Sequence, residues 1–407
     1  ILAVKIFGLS PSSAFWIIIG QGVIFGMLNG GNDLANAIAA SVATRALGVT
    51  AAVSVASLFN FAGTLSGEAV AKTIAKGIVP PELLSAQIAI AGVGGAIISS
   101  SIATMRGIPI SITHSLVGGI FGAGLGAGLI ANGNPTKNIA WDPFVLDALI
   151  SIVFAFAVGG VAGYMLGRNK GRGIEYSLIG CIAITGLTAT ALFAFLLVSD
   201  SHIKLTKIIL GISLAPFWSM LIGGLILRVS DSAIQALFAN SRQWKVNQWL
   251  RRLQWPASAW LSFTHGLNDG QNIVAIFLLA SIVGGLSETG EIVLWMQLAA
   301  AGAMAGGTIL LGLPVLRTTS SEMIKKMDPI DGVSAQIAAA FIIYVHSIKN
   351  FIGLNIGGIP ISTTHASVAA MMGTAVVKKI SYLSVNVTGK ILASWVITIP
   401  FAAFWGM

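Results

Sequence analysis

The chain has 407 residues, of which 55% are hydrophobic and only 9% are charged. Soluble domains carry about 25% charged residues, so this composition excludes a water-soluble protein of this size. The net charge of +9 does not indicate nucleic-acid binding, because two short regions, 168–172 and 228–252, are rich in basic residues and lie between predicted membrane spans. Basic residues in short loops mark the cytoplasmic side of a membrane protein. The distribution of basic residues therefore indicates which loops face the cytoplasm.

Long stretches without a charged side chain recur along the chain, and a helix of about 20 apolar residues crosses the hydrocarbon core of a bilayer. We therefore predict an all-α integral membrane protein with about 12 transmembrane segments, some of them re-entrant or broken. A single cysteine, Cys181, excludes disulfides and cysteine metal sites. The uncharged stretches include 83–105, 177–198, 208–227, 292–316 and 391–407.

Three motifs occur twice, in the same order, which indicates a duplication within the chain. The spacing between the copies drifts slowly, as expected for two repeats that diverged from one unit. The motif pairs are Gly30–Asn36 and Gly266–Asn272 (both G-x-N-D-x-x-N), Ser85–Ile88 and Ser334–Ile337 (S-A-Q-I), and Ile108–His114 and Ile359–His365 (I-P-I-S-x-T-H).

The repeats divide the chain into two lobes, with unrepeated sequence between them. We expect the first lobe to span 1–140 and the second lobe to span 256–407. Residues 141–228 then form additional transmembrane spans that occur once. The stretch 229–255 combines tryptophans and arginines at helical spacing, which predicts an amphipathic segment on the cytoplasmic membrane surface; a disordered linker is the alternative.

The G-x-N-D-x-x-N motif places a carboxylate in an apolar run. There a charge costs several kcal/mol unless a cation or another partner compensates it. The aspartate and the second asparagine are three residues apart and share a helical face, beside a break at the glycine. Their oxygens suit a small hard cation. The alternative is that each aspartate caps its own helix. The predicted sodium ligands are Asn32, Asp33, Asn36, Asn268, Asp269 and Asn272.

The I-P-I-S-x-T-H motif predicts a helix start within the membrane, because Pro109 and Pro360 disfavour helix at the residues before them. Ser111 and Ser362 then occupy N-cap positions. A helix N-terminus presents free N–H groups to an anion, and nearby hydroxyls add donors. The predicted phosphate-binding residues are Ser111, Thr113, His114, Ser115, Ser362, Thr363, Thr364, His365, Gln87 and Gln336.

Structural roles stay open for some of these residues. Hydroxyls of membrane helices often bond to their own backbone. The two histidines could instead support the hairpins through backbone carbonyls, and the two glutamines could bridge helices.

These motifs resemble those of the inorganic phosphate transporter (PiT) family, the sodium- or proton-coupled phosphate permeases, over nearly the whole chain. The resemblance implies phosphate uptake driven by a cation gradient, two inverted repeats with re-entrant hairpins, and a homodimer in the plasma (inner) membrane. Asn60 stands where animal relatives carry an acid, and the short 229–255 segment replaces their large loop. Their stoichiometry therefore does not transfer.

We expect a secondary active transporter that imports inorganic phosphate by alternating access between the repeats. Sodium is the predicted coupling ion, because paired amide ligands have little purpose for a proton. Proton-coupled phosphate transport, transport of a metal–phosphate complex and sulfate transport are the alternatives. No phosphate-binding loop for ATP is present. Duplicated motifs suit a pathway better than an enzyme or a channel, and we expect no cofactor besides the transported ions.

Overall fold

The computed structural model describes residues 10–106, 110–142, 144–198, 205–286, 291–319, 327–352 and 357–407. Within these ranges the chain forms α-helices and no β-strand. In chain order the helices are α1 (Pro11–Ala43), α2 (Val49–Leu65), α3 (Ala69–Gly77), α4 (Ala86–Met105), α5 (Ile112–Asn132), α6 (Val145–Arg168), α7 (Gly173–Val198), α8 (Leu205–Leu237), α9 (Gln243–His265), α10 (Gln271–Val283), α11 (Leu294–Thr319), α12 (Pro329–Ser347), α13 (Thr363–Lys378) and α14 (Val385–Gly406).

Ten helical stretches of the described chain are long and apolar enough to cross a membrane, and the pair α2–α3, bent by 68°, would be an eleventh. The prediction of a multispanning all-α membrane protein with broken helices is confirmed, with one or two fewer spans than expected. Helix α13 has only 16 residues, fewer than the about 20 needed to cross the hydrocarbon core.

Helices α5 and α13 follow the two I-P-I-S-x-T-H motifs, are called the hairpin helices below, and begin in the same way. The Ser111 hydroxyl accepts a hydrogen bond from the backbone N–H of His114 at 3.2 Å. The Ser362 hydroxyl accepts the equivalent bond from His365 at 3.1 Å. Both serines are therefore N-caps, as predicted. The Ile108–Pro109 part of the first motif lies outside the described residues.

The two G-x-N-D-x-x-N copies differ in backbone, and the break expected at the first copy is absent. Helix α1 runs without interruption through Gly30 and Asn36. The second copy lies in a π-helical turn, Gly266–Gly270, which joins α9 to α10. In the first copy the glycine allows close helix packing, because a Cβ on Gly30 would overlap the backbone carbonyl of Met304 in α11.

The unrepeated part of the chain forms a layer beside the second hairpin. Helices α6 and α7 pack against each other, and α7 packs on α8. Helix α8 in turn packs on α12 and α13. The stretch 229–255 forms no helix of its own, because α8 continues to Leu237 and α9 begins at Gln243.

Gly266 allows the π-helical turn to touch α2, because a Cβ there would overlap the backbone of Asn60. We expect Gly266→Ala to lower the stability of the protein by about 1–3 kcal/mol, the usual cost of overpacking. Gly302→Ala is the matched control, since a Cβ at that helical glycine meets no atom within 4 Å. Thermal unfolding of both variants in detergent measures the difference, and equal Tm values would contradict this account of the packing.

Candidate cation and phosphate site

In each repeat the G-x-N-D-x-x-N signature is joined to the hairpin helix of the same repeat by one hydrogen bond, which recurs in both repeats. The Asn32 side-chain amide donates to the backbone carbonyl of Ile110 at 3.3 Å. The Asn268 amide donates to the carbonyl of Ile361 at 2.7 Å. Both carbonyls lie in the non-helical residues before the hairpin helices, where they have no helical partner. The duplicated motifs thus meet at the ends of the hairpins.

The carboxylates are held by the hairpin of the opposite repeat. Asp33 Oδ1 accepts a hydrogen bond from the Thr364 hydroxyl at 2.9 Å. Asp269 Oδ1 accepts one from the Thr113 hydroxyl at 3.1 Å. Each lobe therefore completes the site of the other lobe, and the two halves form one buried site with pseudosymmetric contacts.

The second asparagine of each signature also bonds to the hairpin threonine of the opposite repeat. The Asn36 amide donates to Thr364 Oγ1 at 2.9 Å and to Asp33 Oδ1 at 2.6 Å. The Asn272 amide donates to Thr113 Oγ1 at 2.8 Å. Both hairpin hydroxyls are thus oriented by an amide donor, so that their own protons are directed to the carboxylates.

A histidine that sequence analysis left without a role lies between the two carboxylates. His265 Nε2 is 3.1 Å from Asp269 Oδ2 and 3.9 Å from Asp33 Oδ2. On its other side, Nδ1 is 2.9 Å from Asn60 Oδ1. The Asn60 amide nitrogen donates to Thr308 at 3.3 Å, so its oxygen accepts and His265 Nδ1 carries a proton. The sequence signal was the spacing of four residues between His265 and Asp269.

The two carboxylates differ in their remaining partners. Asp269 also accepts hydrogen bonds from the Thr363 hydroxyl at 2.6 Å and from the Asn268 amide at 2.7 Å. Ile112 stands at the position equivalent to Thr363, so Asp33 lacks that donor. Asp33 Oδ2 is buried and accepts no hydrogen bond from the described residues. Asp33 therefore keeps an oxygen that can bind an ion.

Several amide oxygens nearby are also buried without a hydrogen-bond donor in the described part of the chain. They belong to Asn29, Asn32 and Asn272. An unsatisfied buried polar atom costs about 1–3 kcal/mol, and a bound cation would remove that cost. The site thus combines free carboxylate and amide oxygens, which are the ligands that hard cations prefer.

Other predicted residues make contacts of a different kind. The Ser115 hydroxyl bonds to the backbone carbonyl of Ser111 at 3.3 Å. The Gln336 amide donates to the hydroxyls of Ser41 and Ser258, both at 2.8 Å, and thereby bridges α12 to α1 and α9. Gln87 lies in the first turn of α4 and is half-buried. Direct contact of these residues with phosphate stays a prediction.

His114 and His365 border a different space. Their rings are in edge-to-face contact, with centroids 4.4 Å apart, and His365 stacks on Trp395 at 4.0 Å. All three rings line an apolar cavity. The backbone of each histidine closes a hairpin cap, while its side chain belongs to this cavity.

Comparison with known proteins shows the family of the chain. The family model described as "Phosphate transporter family" matches residues 29–406. The chain belongs to this family. It is 28% identical over 393 residues to a "Probable low-affinity inorganic phosphate transporter" of Bacillus subtilis (strain 168), covering 96% of this chain and 94% of that protein. A protein of the same description from Rhizobium meliloti (strain 1021) is 27% identical over 390 residues, covering 95% and 92%.

A solved structure, "The sodium-dependent phosphate transporter", is similar over 97% of both chains, with a TM-score of 0.66 and 26% identity. The resemblance to the phosphate permeases is confirmed. This multi-pass membrane protein is a phosphate transporter, and its family and relatives are described as transporters rather than enzymes.

We expect His265→Leu to destabilise the phosphate transporter by about 3–5 kcal/mol, because removing one partner of a buried charge cluster leaves the others uncompensated. Asp33 and Asp269 would then face each other without the imidazole. Adding Asp269→Asn should restore much of the lost stability, since it removes one of the two charges. Thermal unfolding of the single and double variants measures this coupling.

His346→Leu is the control, because the His346 ring bonds to the carbonyl of Ile342 in its own helix and lies in no cluster with a carboxylate in the described part of the chain. Equal destabilisation by His265→Leu and His346→Leu, with no rescue by Asp269→Asn, would contradict a role of His265 between the carboxylates.

Proposed function

We propose that this transporter imports inorganic phosphate together with sodium, by alternating access at the site shared between its two repeats. The observation that carries the proposal is that Oδ2 of Asp33 and the amide oxygens of Asn32 and Asn272, all within the two signatures, are buried without a donor from the described residues. Oxygen-rich sites at interrupted helices and repeat interfaces bind sodium in many secondary transporters. The structural relative described as sodium-dependent supports the same coupling ion.

The proposed sodium ligands are the six residues of the two signatures: Asn32, Asp33, Asn36, Asn268, Asp269 and Asn272. Their contributions differ. Asp33 supplies the free carboxylate oxygen, whereas both oxygens of Asp269 already accept hydrogen bonds. We therefore assign the larger share of sodium binding to Asp33. Asp269 mainly fixes the hairpin threonines Thr113 and Thr363 in position.

Phosphate is proposed to bind at the N-terminal ends of α5 and α13. The first turn of a helix leaves backbone N–H groups without an intrahelical partner, and its positive dipole end attracts an anion. Thr113 and Thr364 lie in these turns, where Thr113 donates to Asp269 and Thr364 donates to Asp33. Because phosphate carries one to two negative charges, repulsion by Asp33 and Asp269 opposes its binding until cations neutralise them. This repulsion makes sodium binding a condition for phosphate binding, which is the physical basis of symport.

Proton coupling is the second candidate, and one observation favours it. His265 already places an ionisable nitrogen between Asp33 and Asp269, where a second cation would otherwise bind. Carriage of phosphate as a metal complex is compatible with the same three residues, whose ligand atoms all lie within 4.8 Å of one another. Uptake under separately imposed gradients distinguishes these candidates from sodium symport.

We also propose a cellular setting for the transporter, based on the resemblance to its family and on the charge distribution. The protein would work as a homodimer in the plasma (inner) membrane. The basic regions 168–172 and 228–252 would face the cytoplasm, following the bias of basic loops.

We expect phosphate uptake into proteoliposomes to rise with external sodium at fixed pH, with more than one sodium ion per phosphate. Asp33→Asn should abolish this uptake, because it keeps the size of the side chain and removes the charge that binds the ion. Asp231→Asn is the matched control, since Asp231 is an exposed carboxylate near the end of α8. Full uptake in sodium-free buffer, driven by a proton gradient alone, would refute sodium coupling.

We expect Thr113→Val and Thr364→Val each to raise the phosphate KM about tenfold. Each variant removes the hydroxyl donor of one carboxylate, worth about 1–3 kcal/mol, and so strengthens the repulsion between that carboxylate and the anion. Thr374→Val is the control, because the Thr374 hydroxyl bonds to the carbonyl of Met371 in the same helix. An unchanged phosphate KM in both site variants would show that these hydroxyls serve only the protein scaffold.

A further inference from the structure

The apolar cavity that His114 and His365 line lies apart from the carboxylate site and opens on the side of the helix bundle. Its volume is about 380 Å³, within the range of small-molecule sites. It lies between α5 and α14 on one side and the unrepeated helices α6, α7 and α8 on the other. Leu149, Val153 and Val396 line it and are exposed on the outer surface of the helices. The cavity therefore opens where a membrane protein faces lipid.

The inner part of the cavity contains buried polar atoms in an otherwise apolar wall. Both ring nitrogens of His114, Nε2 of His365, Nε1 of Trp395 and the Thr185 hydroxyl have no hydrogen-bond partner in the residues that the structure describes. Four polar side chains left unsatisfied in one cavity are unusual, because each costs about 1–3 kcal/mol. Their common location indicates that a ligand satisfies them.

The phosphate ion itself does not fit this cavity. Among the residues that the structure describes, no Asp, Glu, Lys or Arg lines it, and burying an unpaired anion against apolar walls is very costly. The opening is also lined by aliphatic side chains, which suit a hydrocarbon chain. Any ligand must therefore combine a long apolar part with one small polar end.

The chemistry of the buried atoms specifies that polar end. The Trp395 indole can only donate a hydrogen bond, so the ligand needs an acceptor oxygen. A neutral imidazole offers one donor and one acceptor, and His114 has both nitrogens free. A carboxyl group provides acceptor oxygens and a hydroxyl proton, and so complements this set better than an ester or a hydrocarbon end.

We propose that the cavity binds a single-chain fatty acid from the bilayer, with its carboxyl group at His114, His365 and Trp395 and its chain toward Val153. The site lies directly behind the transport site, because Thr113 and Thr364, the neighbours of the two histidines, hold the carboxylates. The test of this proposal measures ligand binding and not phosphate uptake, so its result does not depend on which ion drives transport.

Cys181 provides a probe, because it is the only cysteine of the chain and it lines the cavity with an exposed fraction of 7%. The full-length protein in lipid nanodiscs is treated with N-ethylmaleimide, with or without dodecanoic acid. Bound dodecanoic acid should slow the alkylation of Cys181 about tenfold. Dodecane should protect much less, because it cannot satisfy the polar atoms.

Variants at the two ends of the cavity complete the test. Trp395→Phe should raise the dodecanoic acid concentration needed for protection about tenfold, the equivalent of one hydrogen bond. Val153→Trp should block the mouth and abolish protection. Val161→Trp should not, since Val161 lies on the same helix with nearly the same exposure, 67% against 68%, outside the cavity.

Three results would overturn the proposal. They are the absence of protection by dodecanoic acid, equal protection by dodecane, and full protection in Val153→Trp. If Val153→Trp fails to fold, the comparison of dodecanoic acid with methyl dodecanoate on the unsubstituted protein decides, because equal protection by the ester would exclude a carboxyl-specific site.

Discussion

Two carboxylates buried in an apolar helix bundle are the constraint on which the rest of the site depends. Asp33 and Asp269 are almost completely inaccessible, and an isolated charge in such surroundings is strongly unfavourable. The surrounding polar groups are arranged to compensate them, with hydroxyl donors from both hairpins and an imidazole between them. Oδ2 of Asp33 accepts no hydrogen bond from the described residues, and it is the oxygen that we propose binds the transported cation.

One hydroxyl donor of each carboxylate comes from across the repeat boundary, and this has a mechanical consequence. Thr364 of the second lobe donates to Asp33, and Thr113 of the first lobe donates to Asp269. A movement of one lobe against the other therefore changes the surroundings of both carboxylates at once. In transporters built from repeats, such movements expose a central site alternately to the two sides. In the mechanism that we propose, the same hydrogen bonds would couple ion binding to lobe movement.

The repeats have diverged where they touch Asp269. His265 and Thr363 both contact this carboxylate, and the equivalent positions of the first repeat hold Asn29 and Ile112. As a result, one carboxylate is saturated by protein donors and the other keeps a free oxygen. A perfectly symmetric pair would bind ions equally at both positions. The divergence gives the two aspartates different hydrogen-bond partners, and we propose different roles for them on that basis.

The backbone at the signatures shows how local and tertiary effects divide. Both copies contain a glycine before Asn-Asp, which suggested a break in each. In α1 the helix continues past Gly30, which allows the close approach of α11. At the second copy Gly266 packs against Asn60, and the helix widens into a π turn. Both glycines allow a close helix contact, so local helix propensity alone does not separate the two outcomes.

The sequence by itself determined the membrane class, the duplication, the helix starts at Ser111 and Ser362, and the six signature residues. These follow from composition, from periodicity and from local capping chemistry, all of which act over a few residues. Only the tertiary structure decided that Thr364 serves Asp33, that His265 lies between the carboxylates, and that His114 and His365 face an apolar cavity. These contacts join residues up to 331 positions apart, and they depend on how helices pack in three dimensions, which no local pattern encodes.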